Sequence, residues 1–365
     1  MRILASFSRR IPVSRIAAFF SHKHLAVFCV LLVACLFVAG PSALGAPNTN
    51  RSAPKAPSAP AVIKLGAFSY TDARAWFERN GYKTVAGGDG RTLVLKGPGG
   101  TLRFEADSRE ATIHGLRVFL GEAAAAARGS IFVPTVDLQR FLMPMVRPTR
   151  LKSVPLRTIV LDPGHGGNDT GTRNMARKLN EKDFTLDVAR RLEKLLGQDR
   201  WQVLMTRKDD RFVELPDRAE FANRAKADLF VSIHFNAVAN NPGVRGTETY
   251  VLTPQFMRST SSAKTTPDDG TAQPGNKHDA WSAVLGYHMH RELLTELKTE
   301  DRGYKRARFA VLRLVNCPAV LVEAGYLSND SEAQQIGTAA YRARIAQALY
   351  SAIVAYDAAR VAAGR

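Results

Sequence analysis

Residues 158–167 read TIVLDPGHGG, and the fold expected for the larger part of the chain follows from this stretch. Its first four residues form an apolar run of strand length, and the remainder is a polar, glycine-rich turn. The glycines around His165 let the backbone turn sharply and come close to a metal ion or a substrate. A strand ending in such a turn predicts a ligand site at the carboxyl edge of a sheet.

Strands and helices alternate from Leu156 to the end of the chain. The expected strands are 156–161, 202–206, 229–234, 247–252, 309–314 and 319–323. Apolar residues at helical spacing predict helices over 181–196, 215–227, 281–297 and 339–361. The alternation predicts an α/β fold, with a mostly parallel mixed sheet and helices on both of its faces.

A small β-rich domain is expected before this α/β part. Residues 62–146 contain one helical pattern, near 71–80, and then short apolar runs separated by glycine-rich turns. Residues 47–61 are rich in proline and alanine and are expected to form a linker. Residues 147–155 are a basic connector to the α/β domain, 156–361.

The first 46 residues have the layout of an export segment. Residues 1–24 are basic without any acidic residue, residues 25–40 are apolar, and small residues follow at 43–46. A cleaved signal, a retained membrane anchor and a lipoprotein attached through Cys35 all fit this layout. In each case the rest of the chain is exported to the periplasm or cell envelope, and membrane contact is expected only through this segment.

Four residues are expected to meet at one edge of the predicted sheet. His165, His234 and Glu323 end strands or follow them directly, and Glu181 opens the helix after the first strand. Two histidines and one carboxylate are the ligands of several catalytic zinc sites, and they leave one position open for water. Zinc lowers the pKa of such a water to about 7. Glu323 then suits the general base, and Asp162 an acceptor that orients His165.

The sequence around these residues is similar to that of a known enzyme family. Residues 160–167, 180–183, 227–237 and 318–329 resemble, in the correct order, four motifs of the zinc N-acetylmuramoyl-L-alanine amidases of the amidase 3 type. The resemblance spans about 156–360. Residues 62–146 lie outside it, and we expect them to act as a spacer that binds the cell wall or a partner. It implies that His165, Glu181 and His234 bind one Zn²⁺ ion and that Glu323 is the catalytic carboxylate. It also implies a peptidoglycan substrate, cut between N-acetylmuramic acid and L-alanine during cell-wall remodelling or daughter-cell separation, and some members need a protein activator.

Three other functions compete with that of a zinc amidase. The closest is a hydrolase that cuts a different amide within the peptide. A non-catalytic wall-binding module would have lost ligands or Glu323, but all four residues are present. The formal net charge of +18 implies an anionic partner. Nucleic acid is excluded as that partner by the export segment and by the absence of a nucleic-acid-binding motif in the sequence.

Several segments allow two interpretations. Residues 253–280 are polar and form a long loop, which either flanks the active site or is a disordered insertion. Lys305, Arg306, Arg308 and Arg313 are either a solvated basic surface or a contact for an anionic wall polymer. His288 and His290 lie two residues apart, which on a helix points their rings to different faces, so they are expected to be solvated or packed.

Overall fold

The computed structural model describes residues 59–86, 90–153 and 155–365. From residue 59 onward, the described residues form one compact unit. Within the described ranges, no helix has the length and hydropathy needed to cross a bilayer. The predicted export segment 1–46 and most of the predicted linker 47–61 lie outside the described residues.

The predicted mixed, mostly parallel sheet is confirmed. In the α/β part its strands are β10 (Thr158–Pro163), β13 (Gln202–Met205), β14 (Leu229–Asn236), β15 (Thr247–Leu252), β16 (Asp301–Ala307) and β17 (Ala319–Tyr326). Two further short strands, β11 (Arg173–Asn174) and β12 (Leu179–Asn180), form a separate two-stranded ribbon. The sheet order here is β13-β10-β14-β17-β15-β16. All neighbours pair in parallel except β15 and β17, which are antiparallel.

Helices cover both faces of this sheet. They are α4 (Glu181–Leu196), α5 (Leu215–Arg224), α6 (Asp279–Leu297), α7 (Ala310–Leu314), α8 (Asp330–Ile336) and α9 (Ala339–Ala363). Successive side chains of a strand point to opposite faces. Ile159 and Leu161 therefore join the core formed with α4, α6 and α9. Val160, between them, joins a second core against α5 and α7.

The N-terminal part is rich in β-strands, as predicted. Its elements are β1 (Val62–Leu65), β2 (Phe68–Asp72), α1 (Ala73–Glu78), β3 (Lys83–Ala86), β4 (Thr92–Gly97), β5 (Gly100–Glu105), β6 (Glu110–Ile113), β7 (Leu116–Phe119), β8 (Ala125–Ala127) and β9 (Ser130–Pro134). Short helical turns follow, α2 (Thr135–Asp137), a π-helical turn Leu138–Leu142 and α3 (Met143–Val146). A four-stranded sheet has the order β1-β2-β9-β8.

The other N-terminal strands extend the sheet of the α/β part. Strands β3 to β7 form an antiparallel series, and β7 pairs in parallel with β16, where Val118 lies opposite Tyr304. The result is one sheet of 11 strands. The exact boundaries between linker, accessory domain, connector and catalytic domain stay predictions.

Buried polar contacts join the N-terminal part to the α/β part. The guanidinium of Arg306 on β16 pairs with Asp137 of α2, and both side chains are fully buried. His114, in the turn after β6, lies between two tyrosines, with Nε2 2.9 Å from the Tyr82 hydroxyl and Nδ1 3.1 Å from the Tyr287 hydroxyl. A buried charge is stable only when it is paired, so the Arg306–Asp137 contact fixes the position of these elements.

Two predictions about the stretch after residue 300 were wrong. Residues 309–314 were expected to be a strand, but the structure has helix α7 there. The strand of this region is β16, whose charged sequence does not have the apolar pattern of a strand. The second prediction was a basic surface formed by Lys305, Arg306, Arg308 and Arg313. Three of these cations instead pair with carboxylates, Lys305 with Glu248, Arg306 with Asp137 and Arg308 with Asp269.

The polar segment 253–280 is an ordered part of the structure. It contains two 3-10 helices, Pro267–Gly270 and Pro274–His278, each opened by a capping box. Arginines from elsewhere hold it, since Arg109 donates to the carbonyls of Ser259, Thr260 and Ser262. Arg308 pairs with Asp269 at 2.6 Å. A disordered insertion is therefore the wrong interpretation.

Candidate metal centre

The His165 loop leaves the end of β10 in a constrained conformation. His165 has a φ of 61°, in the left-handed region, where a residue with a Cβ is uncommon. Arg207 and Arg218 hold this loop. Arg207 donates to the carbonyls of Pro163 and Gly164 at 3.0 and 2.8 Å. Arg218 donates to the carbonyls of Pro163 and His165, both at 2.8 Å.

The acceptor that orients the His165 ring is Asp169, and the prediction of Asp162 was wrong. His165 Nδ1 lies 2.8 Å from Asp169 Oδ2, so the other ring nitrogen, Nε2, faces Glu181. Asp162 instead accepts hydrogen bonds from Thr206, Arg218 and Ser232. Asp162 thus anchors the base of the loop, whereas Asp169 occupies the position of the outer partner that metal-ligating histidines usually have.

Glu181 opens α4 and is almost fully buried, with 2% of its surface exposed. Its Oε2 accepts the backbone N–H of Thr172 at 2.8 Å, and its Oε1 accepts that of Phe235 at 3.0 Å. Burial disfavours its charged form, but the hydrogen bonds from His165 and His234 outweigh this effect and hold the pKa of the Glu181 carboxyl well below its ordinary value. A charged carboxylate is the form that binds a metal ion.

His165, Glu181 and His234 converge on one point. Each offers one ligand atom, and these atoms all lie within 4.8 Å of one another. Glu181 Oε1 is 3.1 Å from His165 Nε2 and 3.0 Å from His234 Nδ1. Tetrahedral zinc, with bonds of about 2.0–2.1 Å, separates neighbouring ligand atoms by roughly 3.3 Å. The three side chains therefore have the donor types and spacing of a metal site.

Two glycines make room for these ligands. A Cβ at Gly164 would lie 2.1 Å from Cε1 of His234. A Cβ at Gly171, whose φ is 63°, would lie 2.6 Å from His165 Cδ2 and 2.7 Å from Glu181 Oε2. Because side chains cannot approach so closely, the ligand rings keep their positions only beside glycine.

Gly164→Ala is expected to abolish metal binding while leaving the chain folded. The added methyl group would displace the His234 ring, and metal sites tolerate only small changes in ligand position. Zinc content by atomic emission and the temperature of unfolding would measure the two effects. Gly270→Ala is the matched control, because nothing lies within 4 Å of a Cβ there. Full zinc content in Gly164→Ala would contradict this expectation.

Glu323 lies beside the three converging residues. It is opposite His234 in the parallel pair β14–β17 and opposite Glu248 in the antiparallel pair β15–β17. Its Oε2 is buried and has no hydrogen-bond partner among the described residues. Burial, followed by the charges of Glu181 and Glu248, raises the pKa of the Glu323 carboxyl well above its ordinary value. An unpartnered buried carboxylate oxygen with a perturbed pKa, next to a metal-type cluster, marks a candidate functional group.

Glu248 is central to the polar surroundings of Glu323, although no sequence motif singles it out. It is 3% exposed and pairs with Lys305. Tyr326 and Tyr250 each donate a hydroxyl to it at 2.6 Å, and Asn236 donates at 3.0 Å. Its only signal in the sequence is a single acidic residue within a strand pattern. These partners engage both of its oxygens, in contrast to the unbonded Oε2 of Glu323.

One cavity of about 610 Å³ contains all four of these residues. His165, Glu181, His234 and Glu323 line it, together with residues from the segment 212–215 and from 309–311. Residues 253–280 do not appear among the described residues of this lining. The interpretation that this segment flanks the active site is therefore not supported by the cavity.

Comparison with known proteins agrees with this geometry. The family model for N-acetylmuramoyl-L-alanine amidase matches residues 159–355, more than half of the chain. The chain belongs to this amidase family. The match contains all four of the site residues described above. The accessory residues 62–146 lie outside it.

Similar proteins include amidases from several bacteria. The N-acetylmuramoyl-L-alanine amidase AmiA of Escherichia coli (strain K12) is 31% identical over 233 residues, which is 58% of this chain and 79% of that relative. LytC of Bacillus subtilis (strain 168) is 34% identical over 199 residues, 54% of this chain and 35% of LytC. The solved N-acetylmuramoyl-L-alanine amidase of Clostridium difficile 630 is 33% identical, with a TM-score of 0.47 over 56% of this chain and 97% of that one.

Proposed function

We propose that this amidase hydrolyses the amide bond between N-acetylmuramic acid and L-alanine in peptidoglycan, with Zn²⁺ as its cofactor. The observation that carries the proposal is the meeting of His165, Glu181 and His234 beside Glu323 in one cavity. Family membership supports the reaction, and the donor set supports the metal, since imidazole and carboxylate are common zinc ligands.

The three ligand residues have separate tasks. His165 offers Nε2, and its ring is oriented by Asp169. His234 offers Nδ1 from the end of β14, and Glu181 offers a carboxylate held by two backbone N–H groups. A zinc ion held by these residues would lower the pKa of a bound water and polarise the substrate carbonyl.

Glu323 is proposed as the proton carrier. It accepts a proton from the attacking water as the new carbon–oxygen bond forms at the lactyl carbonyl. It then delivers that proton to the alanine nitrogen as the carbon–nitrogen bond breaks. Its Oε2, which has no hydrogen-bond partner in the described part of the chain, and its position opposite His234 support this role. The products are a free lactyl carboxylate on the sugar and a stem peptide with a free amino terminus.

We further propose that the protein acts outside the cytoplasmic membrane, because peptidoglycan lies there. The basic and apolar layout of residues 1–46 supports export. Whether this segment is cleaved, lipidated or retained stays a prediction, as does a protein activator.

Mass analysis of fragments released from purified cell-wall sacculi tests the bond assignment. We expect the zinc-loaded protein to release intact stem peptides that begin with L-alanine, and to leave sugar strands without amino acids. A chelator should stop the release, and added zinc should restore it. Sugar strands that retain alanine or longer peptide stubs would show that a different amide is cut.

A further inference from the structure

Three exposed apolar side chains surround the cavity of the metal centre. Among the described residues, Phe212, Leu215 and Phe309 are 48%, 53% and 39% exposed. All three line this cavity. Large apolar side chains that remain exposed together in a concave site usually mark a binding surface. Their occupant must lie next to the bond being cut, because the catalytic residues line the same space.

These side chains form two apolar walls, one with Phe212 and Leu215 and the other with Phe309, and the surrounding structure holds both walls in place. Phe212 packs closely on the His165 loop, since a Cβ added to Gly167 would lie 3.2 Å from the Cβ of Phe212. The carbonyl of the next residue, Val213, accepts a 2.9 Å hydrogen bond from Arg218. On the other wall, the Phe309 ring packs edge-on against Tyr250, with ring centroids 5.2 Å apart. Preformed walls of this kind bind without a large ordering cost.

The order of strands places the walls on either side of the catalytic residues. Phe212 follows β13, and Phe309 follows β16. Strands β10, β14 and β17, which carry the metal loop, His234 and Glu323, lie between them in the sheet. A substrate whose amide lies at the metal centre therefore extends towards one wall with its acyl side and towards the other with its amine side.

The cavity offers little to a negatively charged ligand. Arg218 is the one arginine or lysine among the described residues that line it. That side chain is 2% exposed, and its guanidinium is engaged by Asp162 and by backbone carbonyls of the loop. Asp169, Glu214 and Glu323 add acidic groups to the lining. Away from the proposed Zn²⁺ ion, a carboxylate in this cavity would meet acids and no available lysine or arginine among the described lining residues.

We propose that Phe212, Leu215 and Phe309 bind the uncharged junction between the lactyl group and alanine, and that the carboxylates of the stem peptide stay outside the cavity. This inference rests on the proposed function and specifies what the site recognises. The junction carries one methyl group on each side of the amide, which suits two apolar walls. The enzyme therefore tolerates changes in stem-peptide charge and discriminates at the residues that flank the amide.

Soluble muramyl peptides test this specificity with zinc-loaded protein. We expect muramyl-L-alanyl-D-glutamate and its amidated D-isoglutamine form to have kcat/KM values within about threefold, with little dependence on ionic strength. Replacing alanine with glycine removes one methyl group and should lower kcat/KM about fourfold. Phe212→Ser and Phe309→Ser should lower it about 10- to 100-fold. Their zinc content and unfolding temperature should remain unchanged.

Val354→Ser is the matched control, because Val354 is 41% exposed on α9 and is not part of the cavity. Calorimetric titration with the same compounds measures binding independently of turnover. A more than tenfold loss on amidation, or normal binding and turnover in both phenylalanine variants, would overturn the inference. If the compounds bind in a wall-dependent way but neither they nor sacculi are cut, the proposed function fails and the ligand assignment stands.

Discussion

Glu323→Gln is expected to lower kcat by about 100- to 10,000-fold, the range associated with losing a general acid–base group. Glutamine keeps the size and polarity of the side chain but cannot carry the proton. The three proposed ligands are untouched, so the variant should still hold about one zinc ion per chain. Turnover of a soluble muramyl peptide and zinc content by atomic emission, measured on one preparation, separate the two effects.

Glu220→Gln provides the control for this substitution. Glu220 is an exposed carboxylate on α5 that pairs with Arg224 and does not line the cavity. Its activity and zinc content should equal those of the unmodified protein. A Glu323→Gln protein that cuts at the normal rate would show that another group moves the proton.

His234→Ala is expected to remove both the metal and the activity. Losing only an outer hydrogen-bond partner weakens a metal site about 10- to 100-fold, so losing a direct ligand should weaken zinc binding more than about 100-fold. Zinc at about 100 times its dissociation constant should stabilise the unmodified protein by about 2.7 kcal/mol. Thermal unfolding with and without chelator should show this gain in the unmodified protein and none in the variant.

The chain offers another histidine as a control. His278 contacts Asn316 at 3.4 Å and does not line the cavity, so His278→Ala should keep the zinc-dependent stabilisation. A His234→Ala protein that binds zinc as tightly as before would contradict the ligand assignment.

The position of the predicted site could be anticipated because sheet topology is strongly constrained. Parallel strands bring their carboxyl ends to one edge, so residues far apart in sequence were expected to meet there. The structure places His165, Glu181, His234 and Glu323 around one cavity. Their roles as ligands and base stay proposals until the variants are measured.

Side-chain direction was harder to predict than position. Asp162 lies one residue before the end of β10, and the sequence alone did not reveal that Thr206, Arg218 and Ser232 would surround it. Asp169, only four residues after His165, became the ring's partner because the loop folds back in a bridge between Gly166 and Asp169. Such a reversal depends on backbone angles that the sequence pattern does not specify.

Strand β16 was missed for a related reason. Its residues DRGYKRA lack the apolar run expected of a central strand. The buried charges are tolerated because Glu248 and Asp137, which are distant in sequence, pair with Lys305 and Arg306. The apolar run that follows, from Phe309 to Leu314, is short enough to suit either a strand or a helix, and periodicity alone cannot distinguish them.

The pairing of β7 with β16 has a practical consequence for work with this enzyme. A truncated protein starting at residue 156 would leave the backbone groups of β16 without their neighbour on that side, and open strand edges promote aggregation. The truncation would also leave the buried Arg306 guanidinium without its partner Asp137. Removing one partner of a buried ion pair typically lowers the free energy of unfolding by about 3–5 kcal/mol. The N-terminal strands therefore belong in any recombinant form of the protein made for crystallisation or assay.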